Sequence, residues 1–78
     1  MNIVLLVGVL GASLILLAFV LNQLRVWTSR SFAYDLTNLI GGALMVYYSL
    51  AIESYPFLVL NVVWTLASLR DVVYAMRP

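Results

Sequence analysis

Cysteine, histidine and lysine are absent from this chain of 78 residues, and charge of either sign is scarce. Four arginines stand against three acids, 9% of the sequence in all. Each absence closes a class of chemistry. Without cysteine or histidine there is no disulfide, no thiol nucleophile and no usual ligand for zinc or haem, so neither a metal nor another cofactor is expected. A net charge of +1 offers no basic field for nucleic acid. The acids are Asp35, Glu53 and Asp71, and no paired carboxylates, activated nucleophile or metal-ligand set can be assembled from them. The chain is not expected to be an enzyme.

What is abundant is apolar side chain. The sequence is 65% hydrophobic, against about 45–50% apolar and about 25% charged in soluble domains. So short a soluble chain exposes much of its surface, and these few charges cannot keep that surface wet and free of patches. Lipid is the natural solvent for such a composition. Hydropathy divides the chain into three apolar runs, residues 3–21, 36–52 and 56–74. The first holds about 19 uncharged residues, enough at 1.5 Å per residue to cross a ~30 Å hydrocarbon core. It lacks the basic start and the small-residue cleavage site of a signal peptide, and is read as a span. Asp35 or Ser31 is positioned to cap the second run, and Pro56 opens the third, where its missing N–H does no harm. The predicted fold is all-α: one membrane domain of three transmembrane helices.

Arginine placement orients it. Arg25 and Arg30 lie in the first connection and Arg70 and Arg77 near the C-terminal end, while Glu53 is the only charge in the second connection. Three spans put all four arginines on one side, and the positive-inside rule makes that side cytoplasmic and the N-terminus external. Trp27, Tyr34 and Tyr74 then mark the inner headgroup belt and Tyr55 the outer one. The expected location is the cytoplasmic (inner) membrane.

Helices in lipid associate through small residues and interhelical hydrogen bonds. The first span has Gly8, Gly11 and Ala12; the second has Asn38, Gly41 and Gly42, read as neighbours on one face; the third has Asn61, Thr65 and Ser68 in a stripe. Asn61 lies roughly 7.5 Å inside the third span, with Trp64 one turn on. An unpaired amide in hydrocarbon costs several kcal/mol, so Asn61 must face protein or water. Either it hydrogen-bonds a neighbouring backbone and fixes packing, or it lines a polar cavity with Trp64 as apolar wall. Tyr47 and Tyr48 point to different faces of the second helix. Adjacent residues on a helix do not face each other, so Arg70 is expected to snorkel to headgroups and Asp71 to meet Arg25 or Arg30.

"AFVLNQLRVWTSRS" resembles the end of the first helix and the basic connection of the semiSWEET sugar transporters, three-helix bacterial half-transporters of the PQ-loop type. Leu21-Asn22 stands where that family has Pro-Asn. "YPFLVLNVVWTLASLRDVVY" is similar to the family's third helix, with Asn61 at the pocket asparagine. The resemblance is closest to a subgroup of small three-helix proteins without the signature proline, marked by "NLIGGALMVYYSL" and "NVVWTLASL". It implies a homodimer that moves a small polar solute, with Asn61, Trp64, Tyr48 and Asn38 as candidate solute contacts and Asn22 as candidate gating residue. The family's second-helix aromatic falls near Met45, one turn from Tyr48. Because Leu21 replaces the proline, the family's hinge has no chemical basis here. A second expectation therefore stands beside transport: an accessory subunit docked on a larger membrane complex.

Overall fold

The structure is a computed structural model describing residues 2–28 and 31–77. It contains three helices, α1 (Ile3–Gln23), α2 (Phe32–Ala51) and α3 (Tyr55–Ala75). Each apolar run is helical. Asn2 caps α1, its Oδ1 accepting the Leu5 N–H at 2.7 Å. α2 starts ahead of its apolar run: Ser31 is the N-cap residue and Asp35 sits in the first turn. Ser31 does not cap with its side chain. Its Oγ instead accepts the Thr28 N–H at 3.0 Å and helps close the first connection.

Both connections leave their helix the same way. After α1, the Val26 N–H reaches Leu21 O and the Arg25 N–H reaches Asn22 O; after α2, Ser54 N–H reaches Ser49 O and Glu53 N–H reaches Leu50 O. These paired bonds satisfy the last carbonyls and require one left-handed residue past each helix end. Arg25 at φ 63° and Glu53 at φ 59° occupy those positions, where glycine is the usual residue.

α2 is the middle helix. It packs against both α1 and α3, while no Cα of α1 comes within 8 Å of α3. Backbones approach most closely between α1 and α2: a Cβ added at Gly11 would stand 3.0 Å from Gly41 O, and one at Gly41 3.0 Å from Gly11 O. Gly41 and Gly42 do not share a face, as the sequence reading had them. Gly41 meets α1 and Gly42 meets Thr65 of α3, because consecutive helical residues lie ~100° apart.

The interior is inside-out relative to a water-soluble protein. Among the described residues, the buried hydrophobic ones are Ala18, Met45 and Val72, whereas Asp35, Asn38, Ser49, Asn61 and Ser68 are all buried. Leu10, Leu16, Phe19, Val59, Leu60 and Val63 are exposed. α1 and α3 are long and apolar enough to cross a membrane, at mean hydropathy 3.0 and 1.4. α2, which carries much of the buried polar set, does not meet the same measure. The helix with protein on both sides is the one that tolerates polar residues.

Candidate functional site

The α2–α3 seam is held by side-chain hydrogen bonds. Asn61 Nδ2 donates to Ser49 Oγ at 2.7 Å, and Ser49 Oγ donates to Met45 O at 2.7 Å. Ser49 is fully buried and Asn61 is 6% exposed. The amide is thereby sheltered by an interhelical clasp, a packing role in which the partner is the Ser49 hydroxyl and not the backbone group expected. One turn on, Thr65 Oγ1 is buried without a partner. It faces Gly42, where an added Cβ would stand 2.5 Å from that oxygen.

Because the α1 and α3 backbones stand apart, a groove runs between them over α2, with a cavity of about 360 Å³. Ala12, Ile15, Leu16 and Phe19 form one wall, and Phe57, Asn61 and Trp64 the other. Tyr34, Asn38 and Met45 lie along the floor. Three of the candidate solute contacts, Asn61, Trp64 and Asn38, are thus brought together, but the groove they line is mostly apolar and not the polar cavity expected around Asn61. Met45 is also in the groove.

Tyr48 and Asn22 are not. The Tyr48 ring lies over Gly8 in the α1–α2 seam, where an added Cβ would stand 2.5 Å from its Cδ1. The missing side chain at Gly8 provides the space, so Tyr48 packs rather than lining the groove. Asn22 donates from Nδ2 to Trp27 O at 3.3 Å, a bond that closes the first connection, and it does not line the groove.

A second cavity, about 160 Å³, adjoins the groove at the end nearer the first connection. α2 contributes Asp35 and Asn38 to it, and α3 contributes Ser68 and Asp71. Tyr34, Asn38 and Trp64 border both cavities. Asn38 Nδ2 donates to Tyr34 O at 3.0 Å, within its own helix. Asp71 is ion-paired with its neighbour Arg70 at 3.2 Å. This corrects the expectation of a snorkelling Arg70: the flexible guanidinium stem folds back along the helix surface, bringing Nε and a terminal nitrogen to the same carboxylate oxygen. Both partners are substantially exposed, so the pair contributes about 1 kcal/mol or less. Arg30, offered as a partner for Asp71, lies outside the described residues.

A protein-family model matches residues 4–77, taking in all three helices and both connections. The chain belongs to that family. No curated protein and no solved structure matches it. Every residue of the groove and of the polar pocket falls inside the part this family defines.

The acidic end of the family member's α2–α3 seam is what sequence reasoning missed. A signal was present: Asp35 and Asn38, and likewise Ser68 and Asp71, stand at i, i+3. That spacing puts each pair on one helix face, and antiparallel helices bring the two pairs to the same end. Read singly, each acid looked like a membrane-edge charge.

Proposed function

We propose that this family member is a three-span integral protein of the bacterial inner membrane, with its N-terminus outside and its C-terminus cytoplasmic. It works as a half-carrier, two copies joining groove to groove to pass a small polar solute. The observation that carries this reading is the open groove itself. One chain leaves α1 and α3 apart and cannot enclose a path. A symmetric second copy would close the groove and place two sets of Asn38, Asn61 and Trp64 around it. The inside-out interior and the two long apolar helices support a lipid surround. The arginine placement supports the orientation, and the semiSWEET-like resemblance supports the dimer. α1 is unbroken through Leu21 to Gln23, so alternating access here takes the form of rigid protomers rocking rather than a helix hinge.

One observation favours a second reading, that of an accessory subunit. The Asn61 amide is already engaged by Ser49, which suits a docking helix as well as a solute site. The cysteine-free chain allows a clean test. A single cysteine at Leu16, crosslinked in native membranes, is expected to give a homodimer, and proteoliposomes are expected to leak small polyols faster than protein-free ones. Trp64→Ala, in a protein that still crosslinks, is expected to change that flux. Crosslinking solely to a larger protein, with no flux, selects the accessory role.

A further inference from the structure

The polar pocket beside the groove has a chemistry that neither functional reading uses. Asp35 is 5% exposed, and among the described residues its carboxylate has no hydrogen-bond or ion-pair partner. Ser68, at 7% exposed, likewise has an Oγ without a partner. Ser49 shows what a helical serine in this interior does otherwise: it bonds the carbonyl four residues back. Among the described residues the fully buried, unpartnered side-chain atom is Thr65 Oγ1, so the Asp35 oxygens open onto the pocket, where a cation or a proton can meet them. Asp71, in the same pocket, already holds Arg70; Asp35 holds nothing.

We infer that this pocket binds a primary ammonium group carried on an apolar body. Charge selects a cation, and the lining selects its kind. Tyr34 and Trp64 border the pocket, and aromatic faces attract organic cations. No group of three or more His, Cys, Asp or Glu that could hold a metal ion exists among the described residues. At about 160 Å³ the pocket takes roughly the space of five waters, enough for a head group and no more. A primary ammonium brings three donors. The acceptors are the Asp35 carboxylate, Ser68 Oγ and Asn38 Oδ1, the last freed because Asn38 uses its Nδ2 on Tyr34 O. Tyr34, Asn38 and Trp64 are shared with the apolar groove, so the remainder of the ligand runs there. Two sources carry this chemistry, a free alkylamine and an ethanolamine lipid, and the site is the same for both. The inference does not depend on the carrier reading; a docked subunit would hold the same amine.

The test uses the full chain in phosphatidylcholine nanodiscs, in a Trp27→Phe background so that fluorescence reports Trp64. Titration with octylamine is expected to saturate roughly tenfold below octanol and octyltrimethylammonium, as a hydrogen-bonded charge would give. Asp35→Asn is expected to raise the octylamine midpoint roughly tenfold, and Ser68→Ala about threefold. Ser68→Ala, a small neutral change, keeps the question answerable if Asp35→Asn does not fold. Native mass spectrometry from nanodiscs containing phosphatidylethanolamine separates the sources. Retained ethanolamine lipid, displaced by octylamine, assigns the lipid; octylamine binding without retained lipid assigns the free amine. Octylamine and octanol titrating alike, or folded Asp35→Asn and Ser68→Ala both binding as the parent does, would overturn the proposal.

Discussion

Toward α1, α2 presents Gly41 and the ring of Tyr48, and α1 answers with Gly11 and Gly8. Toward α3 it presents Ser49 and Gly42, answered by Asn61 and Thr65. The first seam has no interhelical side-chain hydrogen bond among the described residues and depends on close backbone approach. The second adds a buried polar clasp. Helices in lipid have few other means of association, since acyl chains are as apolar as leucine. On the lipid surround proposed above, that is why one helix uses both, one on each side. The steric seam should fail when volume is added, and the polar seam when a hydrogen bond is removed.

The largest effect is expected from Gly41→Leu. Its Cβ alone would stand 2.9 Å from Ile15 Cγ1 and 3.0 Å from Gly11 O, and backbone cannot yield as a side-chain tip can. Overpacking of this kind costs about 1–3 kcal/mol or more, and detergent unfolding titrations should show α1 separating first. If Gly41→Leu is as stable as the parent, the steric seam is not what joins α1 to α2.

Next comes the clasp. Asn61→Ala leaves Ser49 with its bond to Met45 O, whereas Ser49→Ala leaves the Asn61 amide buried without that acceptor; the second change is expected to be the more damaging. A double-mutant cycle should report a coupling of about 1 kcal/mol, within the range for polar pairs in membranes. Additive losses would mean the two side chains do not act together.

Two smaller effects go the other way. Thr65→Val keeps the shape and removes the buried hydroxyl that has no partner, so stability should be unchanged or rise by about 1 kcal/mol. A loss would show that Thr65 bonds a group on another chain. Glu53→Gly should add about 0.5–1 kcal/mol by relieving a left-handed conformation at an exposed residue outside both seams. That variant also serves as a control, since it should leave the two seams equally strong.

Much of this was legible in the sequence, and unevenly so. Three apolar runs separated by turn-forming segments were enough to fix three helices, because hydropathy and length act locally. Pro56 in the first turn of α3 was readable in the same way. Asn61 was readable as sheltered, since the cost of an amide in oil does not depend on which neighbour relieves it. Its partner was not: Ser49 lies twelve positions away, and nothing in a helical period couples the two. The faces of Gly41 and Gly42 were misread because residues ~100° apart on a helix were put on one face; which helix each one meets depended on the helix order. Tyr48 was misassigned because it sits one turn from a groove residue, while its ring fills the space left by Gly8. The α2 start was left between Ser31 and Asp35, and the structure puts the N-cap at Ser31, because hydropathy marks apolar side chains whereas a helix begins where backbone geometry changes.

Composition and periodicity, then, determined by themselves that the chain is helical, how many helices it has and which side chains must be kept from oil. Those are properties of single segments in a given solvent. Tertiary structure alone decided that α2 lies between the others and that the α1 and α3 backbones stand apart to leave a groove, and it closed the polar pairs of α2 and α3 into one pocket beside it. Such facts depend on which backbones approach closely enough to exclude a third, a competition among whole surfaces that no local pattern records.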